Sequence, residues 1–151
     1  MAPFIAIVAH IDKNRSNMPA VSIPITYIHA IEQAGGIPYI LPFTRDLSLI
    51  QEMAMPARGF LFPGRFDLDP AYFNEAPISE LGRVDRDLDE FQLAVLNLAM
   101  EKRLRYWVYA GEPRSLMWAW AAACSRIFPP SSPDRCWAIC SKKFISALTI
   151  P

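Results

Sequence analysis

Cysteine and histidine are scarce in most of this sequence. No cysteine occurs in the first hundred residues, and His10 and His29 are its two histidines. This argues against a secreted protein held together by disulfides. Fifteen basic residues balance fifteen acidic ones, and no run of lysine and arginine is present. Nucleic acid is therefore not an expected partner.

The apolar run at the N-terminus is short. It covers only Phe4–Ala9 and has no basic residue before it. That is too little for a signal peptide or a membrane span. We therefore expect a cytoplasmic protein with no membrane partner. With 151 residues, 52% of them hydrophobic and 20% charged, the chain has the size and composition of one folded domain.

Composition changes abruptly after Arg105. Residues 1–105 hold 13 acidic and 10 basic side chains, whereas residues 106–151 hold 2 and 5. The net charge therefore goes from −3 to +3. Every tryptophan and every cysteine follows this point, at Trp107, Trp118, Trp120, Cys124, Cys136, Trp137 and Cys140. We infer that the two segments have different origins.

Apolar patterns before Arg105 predict alternating strands and helices. A continuous apolar run typical of a buried parallel strand covers Phe4–Ala9, and two further strands are predicted at Ile37–Leu41 and Arg58–Phe62. A helix is predicted to start at Ser22 and Pro24, to bury a stripe of Tyr27, Ala30, Ile31 and Ala34, and to end at Gly35.

Two more helices complete the pattern. Asp46–Met53 predicts a short helix, and Asp87 with Glu90 predicts a capping box at the start of a helix that runs to about Lys102. The core stripe of that last helix is predicted to be Leu88, Phe91, Val95 and Leu98. This order predicts an α/β fold with a doubly wound parallel sheet. Ligands of such sheets bind beyond the carboxyl ends of the strands, here in the loops after His10 and Phe62.

Three segments together resemble a known family. They are Ala34–Pro38 with Leu41 and Pro42, Gly59–Gly64 with Asp67–Pro70, and Asp85–Phe91. In this order they resemble the class I glutamine amidotransferase-like hydrolases, and most closely the gamma-glutamyl-gamma-aminobutyrate hydrolase branch. The resemblance covers residues 4–105. It implies a flavodoxin-like fold, truncated here because the match is under half of such a domain.

The resemblance also implies a mechanism without metal or cofactor. A cysteine on a tight turn after the fourth strand attacks a γ-glutamyl amide, and a His-Glu pair much later in the chain activates it. The loop after the third strand provides oxyanion N–H groups, which points to Gly64, Arg65 and Asp67 as oxyanion or substrate-loop residues. The family usually has a second glycine where this chain has Arg65.

The family's nucleophile signature is missing after Leu104 but is present in a shifted reading frame. In this frame each new codon joins the third base of one codon to the first two bases of the next codon. From the Leu104/Arg105 junction to Ile127, the codons that the residues permit can then encode P-I-L-G-I-C-R-G-A-Q-I-L-N-V-G-L-G-G-S-L-F-Q-D-I. Some steps allow no choice, such as the glycine from Trp107 and Val108. We interpret residues 1–105 as the N-terminal part of a glutamine amidotransferase-like domain. Residues 106–151 are then an out-of-frame tail with one strand, one helix and irregular chain from Pro129.

Other residues have ordinary structural explanations. Cys124, Cys136 and Cys140 lack the spacing and histidines of a zinc site and are interpreted as incidental, so no catalytic residue is assigned. His29 is expected to be a surface or half-buried residue in the middle of a helix, and His10 is either structural or a ligand contact near the strand ends.

Three hypotheses follow for function. The favoured one is a catalytically inactive fragment of a γ-glutamyl hydrolase whose parent acts on a small γ-glutamyl substrate. The others are a non-catalytic flavodoxin-like module that binds a small molecule, and a nonfunctional product. Self-association through an uncovered sheet is also expected.

Overall fold

The structure is a computed structural model that describes residues 1–63, 66–74, 76–77, 79, 81–109 and 136–139. For residues 73, 108, 109 and 136–139 it describes the backbone alone. The strands are β1 (Phe4–Val8), β2 (His10–Lys13), β3 (Pro19–Ser22), β4 (Ile37–Leu41), β5 (Ala57–Pro63), β6 (Arg105–Tyr109) and β7 (Cys136–Ile139). The helices are α1 (Ile25–Gln33), α2 (Ile50–Met53) and α3 (Arg86–Glu101), with 3-10 turns at Leu47–Leu49 and Pro70–Phe73.

Five strands form one parallel sheet in the order β4-β1-β5-β6-β7. Counted along the chain within this sheet, that is the order 2-1-3-4-5 of flavodoxin-like folds. The predicted α/β fold with a flavodoxin-like, doubly wound parallel sheet is therefore confirmed. In this topology the strand order reverses between β1 and β5, which opens a crevice at their carboxyl ends.

Helices cover both faces of the sheet. On one face α2 and α3 pack over alternate residues of the strands, with Phe60, Phe62 and Phe91 at the centre. On the other face α1 packs through Tyr27 and Ile31 against the remaining strand residues. Burial of each large apolar side chain contributes about 1.5–3 kcal/mol, so these two layers supply most of the stabilisation.

The observed ends of α1 agree in part with the ends predicted from the sequence. Gly35 follows α1 with a φ of +82°, a left-handed conformation that glycine adopts without strain, as predicted. Pro24 is the N-cap of α1, so the predicted helix start is confirmed at Pro24, whereas Ser22 belongs to β3 and its part of the prediction is wrong. Antiparallel pairing of β2 with β3 uses the backbone of Ser22 instead.

The capping box predicted at Asp87 is also wrong. The N-cap of α3 is Asp85, whose carboxylate accepts a hydrogen bond from the Leu88 N–H at 3.3 Å. Asp87 is a first-turn residue that pairs with Arg45 across 2.7 Å. The predicted core stripe holds for Leu88, Phe91 and Val95, whereas Leu98 is only half-buried. Leu96 and Ala99 complete the buried face.

Two elements lie in or near the segment that follows Arg105. Strand β6 pairs parallel with β5, where a fourth parallel strand is predicted. Strand β7 is a parallel neighbour of β6, although the sequence predicts irregular chain from Pro129. Residues 136–139 pair with the outer side of β6, which offers free backbone groups to any extended segment. The helix predicted in the tail before Pro129 lies outside the described residues.

Candidate functional site

The carboxyl edge of the sheet is the candidate site. Strands β1 and β4 end together, with Val8 opposite Leu41, and β5 and β6 end together, with Pro63 opposite Tyr109. The chain after β5 and the chain after β6 therefore start side by side. The N-terminus of α3 returns to this same edge, because α3 follows the loop that leaves β5.

Of the three residues predicted for the oxyanion or substrate loop, the structure describes Asp67. Gly64 and Arg65 lie outside the described residues. Asp67 is 7% exposed, and its Oδ2 accepts a hydrogen bond from the Gly82 N–H at 2.7 Å. Its backbone N–H donates to the Arg83 carbonyl at 3.0 Å, and an isolated parallel bridge joins Asp67 to Val84. The Asp67 carboxylate thus closes the base of the loop.

Two close contacts reinforce this closure. The Arg83 guanidinium lies over the Phe66 ring, 4.5 Å from its centroid. A Cβ at position 82 would lie 3.0 Å from Asp67 Oδ2, so the absence of a side chain at Gly82 permits the short hydrogen bond. The start of the loop after β5, at residues 66–67, is therefore held against its end, at residues 82–84.

Asp69 joins this loop to α3. Its carboxylate accepts hydrogen bonds from the Ala71 N–H at 2.9 Å and from Arg86 Nε at 2.7 Å. Its own N–H donates to Asp89 Oδ2 at 3.0 Å. The Ala71 N–H and Arg86 hold the pKa of Asp69 below its usual value. The turn chemistry expected at Asp69 and Pro70 is present as the cap of a 3-10 turn.

Asp89 was not predicted as a site residue. It is 4% exposed, and burial raises its pKa to about 6. A signal was available in the sequence: Asp89 lies four residues after Asp85 and next to Leu88, on the face of α3 that carries the apolar stripe. A carboxylate on a buried helix face needs a partner, and here the partner is the Asp69 N–H.

The two histidines lie in different surroundings. His10 is 2% exposed and begins β2, two residues after the end of β1, where its backbone pairs with Ser22. It is therefore buried beside the crevice between β1 and β5. His29 is exposed on α1, as expected for a surface residue.

The remaining candidates do not form a metal site in the described part of the chain. No group of three or more His, Cys, Asp or Glu side chains suited to a metal ion occurs among the described residues. Cys136 begins β7, whereas Cys124 and Cys140 lie outside the described residues. No described helix is long and apolar enough to cross a membrane.

Strand β6, the fourth strand of the sheet, packs the aromatic side chain of Trp107 into the core. Trp107 is 3% exposed, and its indole N–H has no hydrogen-bond partner among the described residues. The residues of β6 are Arg, Tyr, Trp, Val and Tyr, so the strand itself holds no thiol.

A parallel sheet of this order, with helices on both faces and loops gathered at its carboxyl edge, defines a flavodoxin-like α/β protein. The sequence pattern of the Peptidase C26 family matches residues 3–106, and the chain belongs to that family of class I glutamine amidotransferase-like proteins. It is also 28% identical over 106 residues to a glutamine amidotransferase-like protein of Rickettsia prowazekii (strain Madrid E). That match covers 66% of this chain and 37% of the relative, so the chain spans well under two thirds of the relative's length.

Proposed function

We propose that this chain is the N-terminal part of a γ-glutamyl hydrolase and that it has no hydrolytic activity in its present form. The parent enzyme would cleave the γ-glutamyl amide of a small substrate such as γ-glutamyl-γ-aminobutyrate. Membership of the Peptidase C26 family supports a hydrolase in general. The narrower branch rests on the three ordered segments that end with Asp85–Phe91.

The observation that carries the proposal is where the family match stops. It ends at residue 106, next to Arg105, where the charge balance and the tryptophan and cysteine content change. In a shifted reading frame, permitted codons from the same point encode the family's nucleophile segment. Loss of one nucleotide near the Leu104/Arg105 junction explains both facts, and residues 106–151 are then an out-of-frame tail.

The register of the sheet supports this explanation. In the shifted frame the cysteine is encoded across Tyr109 and Ala110, immediately after the last residue of β6. Tyr109 pairs with Pro63, so the strand that would precede this cysteine ends beside the strand that precedes the oxyanion loop. A nucleophile and the oxyanion loop of an acyl-transfer site need this proximity.

The proposed chemistry of the parent follows from these positions. The thiolate attacks the γ-carbonyl carbon, and backbone N–H groups of the loop after β5 stabilise the oxyanion. The amine leaves with a proton delivered by an imidazole, and water then hydrolyses the thioester. In this chain Ala110 directly follows β6, so no thiol stands at the position that the proposed attack requires.

We also propose that the parent enzyme works without a metal or cofactor, and that this chain lies in the cytoplasm without nucleic-acid or membrane partners. The balanced charge and the absence of cysteine from the first hundred residues support this setting. The small γ-glutamyl substrate would be a partner of the parent enzyme alone.

The test has a genetic and an enzymatic part. Sequencing the coding DNA across codons 100–115 and beyond Pro151 should show codons that give the nucleophile segment when one nucleotide is restored. The restored gene should then yield an enzyme that releases amine from a chromogenic γ-glutamyl amide, and the present chain should show no turnover. In-frame codons incompatible with the shifted reading, or turnover by the present chain, would contradict the proposal.

A further inference from the structure

A buried carboxyl group fastens the loop after β5 to α3. Asp89 is 4% exposed on α3, and its Oδ2 accepts the Asp69 N–H at 3.0 Å. The loop segment that it holds, residues 66–74, includes the 3-10 turn Pro70–Phe73. This contact lies at the carboxyl edge of the sheet, since it joins the loop that leaves β5 to the first turns of α3.

The charges around Asp89 make its ionised form costly. Asp69 and Tyr72 from the loop and Asp85 from α3 interact with Asp89 itself, while Arg86 and Glu90 lie near Tyr72. The cation among them, Arg86, pairs with Asp69 at 2.7 Å, and none of the ion pairs among the described residues includes Asp89. An ionised Asp89 is therefore buried beside other carboxylates.

Two effects on the contact oppose each other. A carboxylate accepts an N–H bond more strongly than a neutral carboxyl group does. Burial removes the Asp89 charge from water, and the carboxylates of Asp69 and Asp85 repel it. Together these effects outweigh the hydrogen bond, and the pKa of Asp89 is raised to about 6. The neutral carboxyl group keeps an oxygen that can accept the Asp69 N–H.

We propose that Asp89 is a protonation-dependent latch, which holds residues 66–74 on α3 more firmly when its carboxyl group is neutral than when it is ionised. The proposal stands on the fold of this chain and does not depend on the proposed hydrolase function. If that function also holds, the latch sets the order of the loop that borders the site.

The pH range follows from the signs of the two shifts. A raised pKa means that the docked state binds the proton more tightly, so docking strengthens as pH falls through about 6. Asp69 has the opposite sign: its pKa is lowered, so its bonds to Ala71 and Arg86 persist until more acid pH. Docking is therefore expected to strengthen from pH 7.5 through pH 5 to about pH 4, and to weaken in more acid solution as Asp69 is protonated.

Hydrogen exchange of the loop amides tests the latch. Protection factors for residues 66–74, corrected for the intrinsic pH dependence of exchange, should rise about tenfold from pH 7.5 to pH 5. Amides of β1 serve as the internal reference and should not follow this change. Equal protection of the loop at the two pH values would overturn the proposal.

Two variants separate the latch from general acid effects. Asp89→Asn mimics the neutral carboxyl group and should give high, pH-independent protection. Asp87→Asn changes an exposed carboxylate of the same helix turn and should keep the pH dependence of the unmodified chain. If Asp89→Asn fails to fold, carbon-13 titration of the unmodified protein decides, and a midpoint at or below an ordinary aspartate pKa contradicts the latch.

Discussion

At the scale of single residues, Trp107 in β6 is poorly suited to its position. Its side chain is buried, and its indole N–H has no partner among the described residues. An unpaired buried donor costs about 1–3 kcal/mol. A Cβ built on Gly59 would lie 2.8 Å from the Trp107 ring, so the indole fits only against a residue without a side chain. The shifted reading frame encodes leucine across Tyr106 and Trp107, without such a donor.

This contact predicts coupling between positions 59 and 107. Gly59→Ala should destabilise the chain by roughly 1–3 kcal/mol, because the new methyl group overlaps the indole ring. In a Trp107→Leu background the same change should cost at least about 0.5 kcal/mol less, since the ring is gone. Urea unfolding of the four chains of this cycle measures the difference. The same cost in both backgrounds would show that the ring is not the cause.

At the scale of elements, the start of α3 shows why one of two similar aspartates caps the helix. Asp87 directly precedes Leu88 whereas Asp85 precedes Arg86, and the spacing of Asp87 and Glu90 favours a capping box. In the structure the Asp85 backbone is extended, and its carboxylate reaches the Leu88 N–H. Asp87 instead faces Arg45 in an exposed ion pair, an arrangement that contributes little.

Substitution of the two aspartates should therefore have unequal effects. Asp85→Ala should reduce the free energy of unfolding by about 1 kcal/mol, because a helix N–H loses its acceptor. Asp87→Ala should cost less than about 0.5 kcal/mol, since it removes an exposed pair. Urea unfolding at neutral pH measures both. A larger loss for Asp87→Ala would favour the capping box predicted from the sequence.

The elements that could be predicted are those with strong local signals. Apolar patterns identified β1, β4 and β5, and Gly35 marked the end of α1. The β2–β3 hairpin was missed because its strands have four residues each and no continuous apolar run, so their pairing depends on tertiary context. The Asp69–Asp89 contact joins residues twenty positions apart, and a sequence pattern alone does not show which N–H a buried carboxylate will meet.

At the scale of the whole molecule, the sheet has an exposed edge at β4. This strand pairs with β1 on one side and is the first strand of the sheet order. Ile37 and Ile40 on β4 are 37% and 45% exposed, and the adjacent Phe4 is 38% exposed. An edge strand with free backbone groups and apolar side chains favours pairing with a second chain. We infer that this edge, rather than an uncovered face of the sheet, is where a second chain would pair.

We expect the chain to associate in a concentration-dependent way through β4. Ile40→Lys places a charge on the edge strand and should weaken association by about tenfold or more, because desolvating a lysine in a strand-to-strand contact is unfavourable. Met55→Lys is the matched control: Met55 is 70% exposed but lies outside the sheet, so association should be unchanged. Sedimentation velocity over a range of concentrations measures both variants. Equal weakening by the two lysines would point to general charge repulsion, and no weakening by Ile40→Lys would remove β4 as the contact.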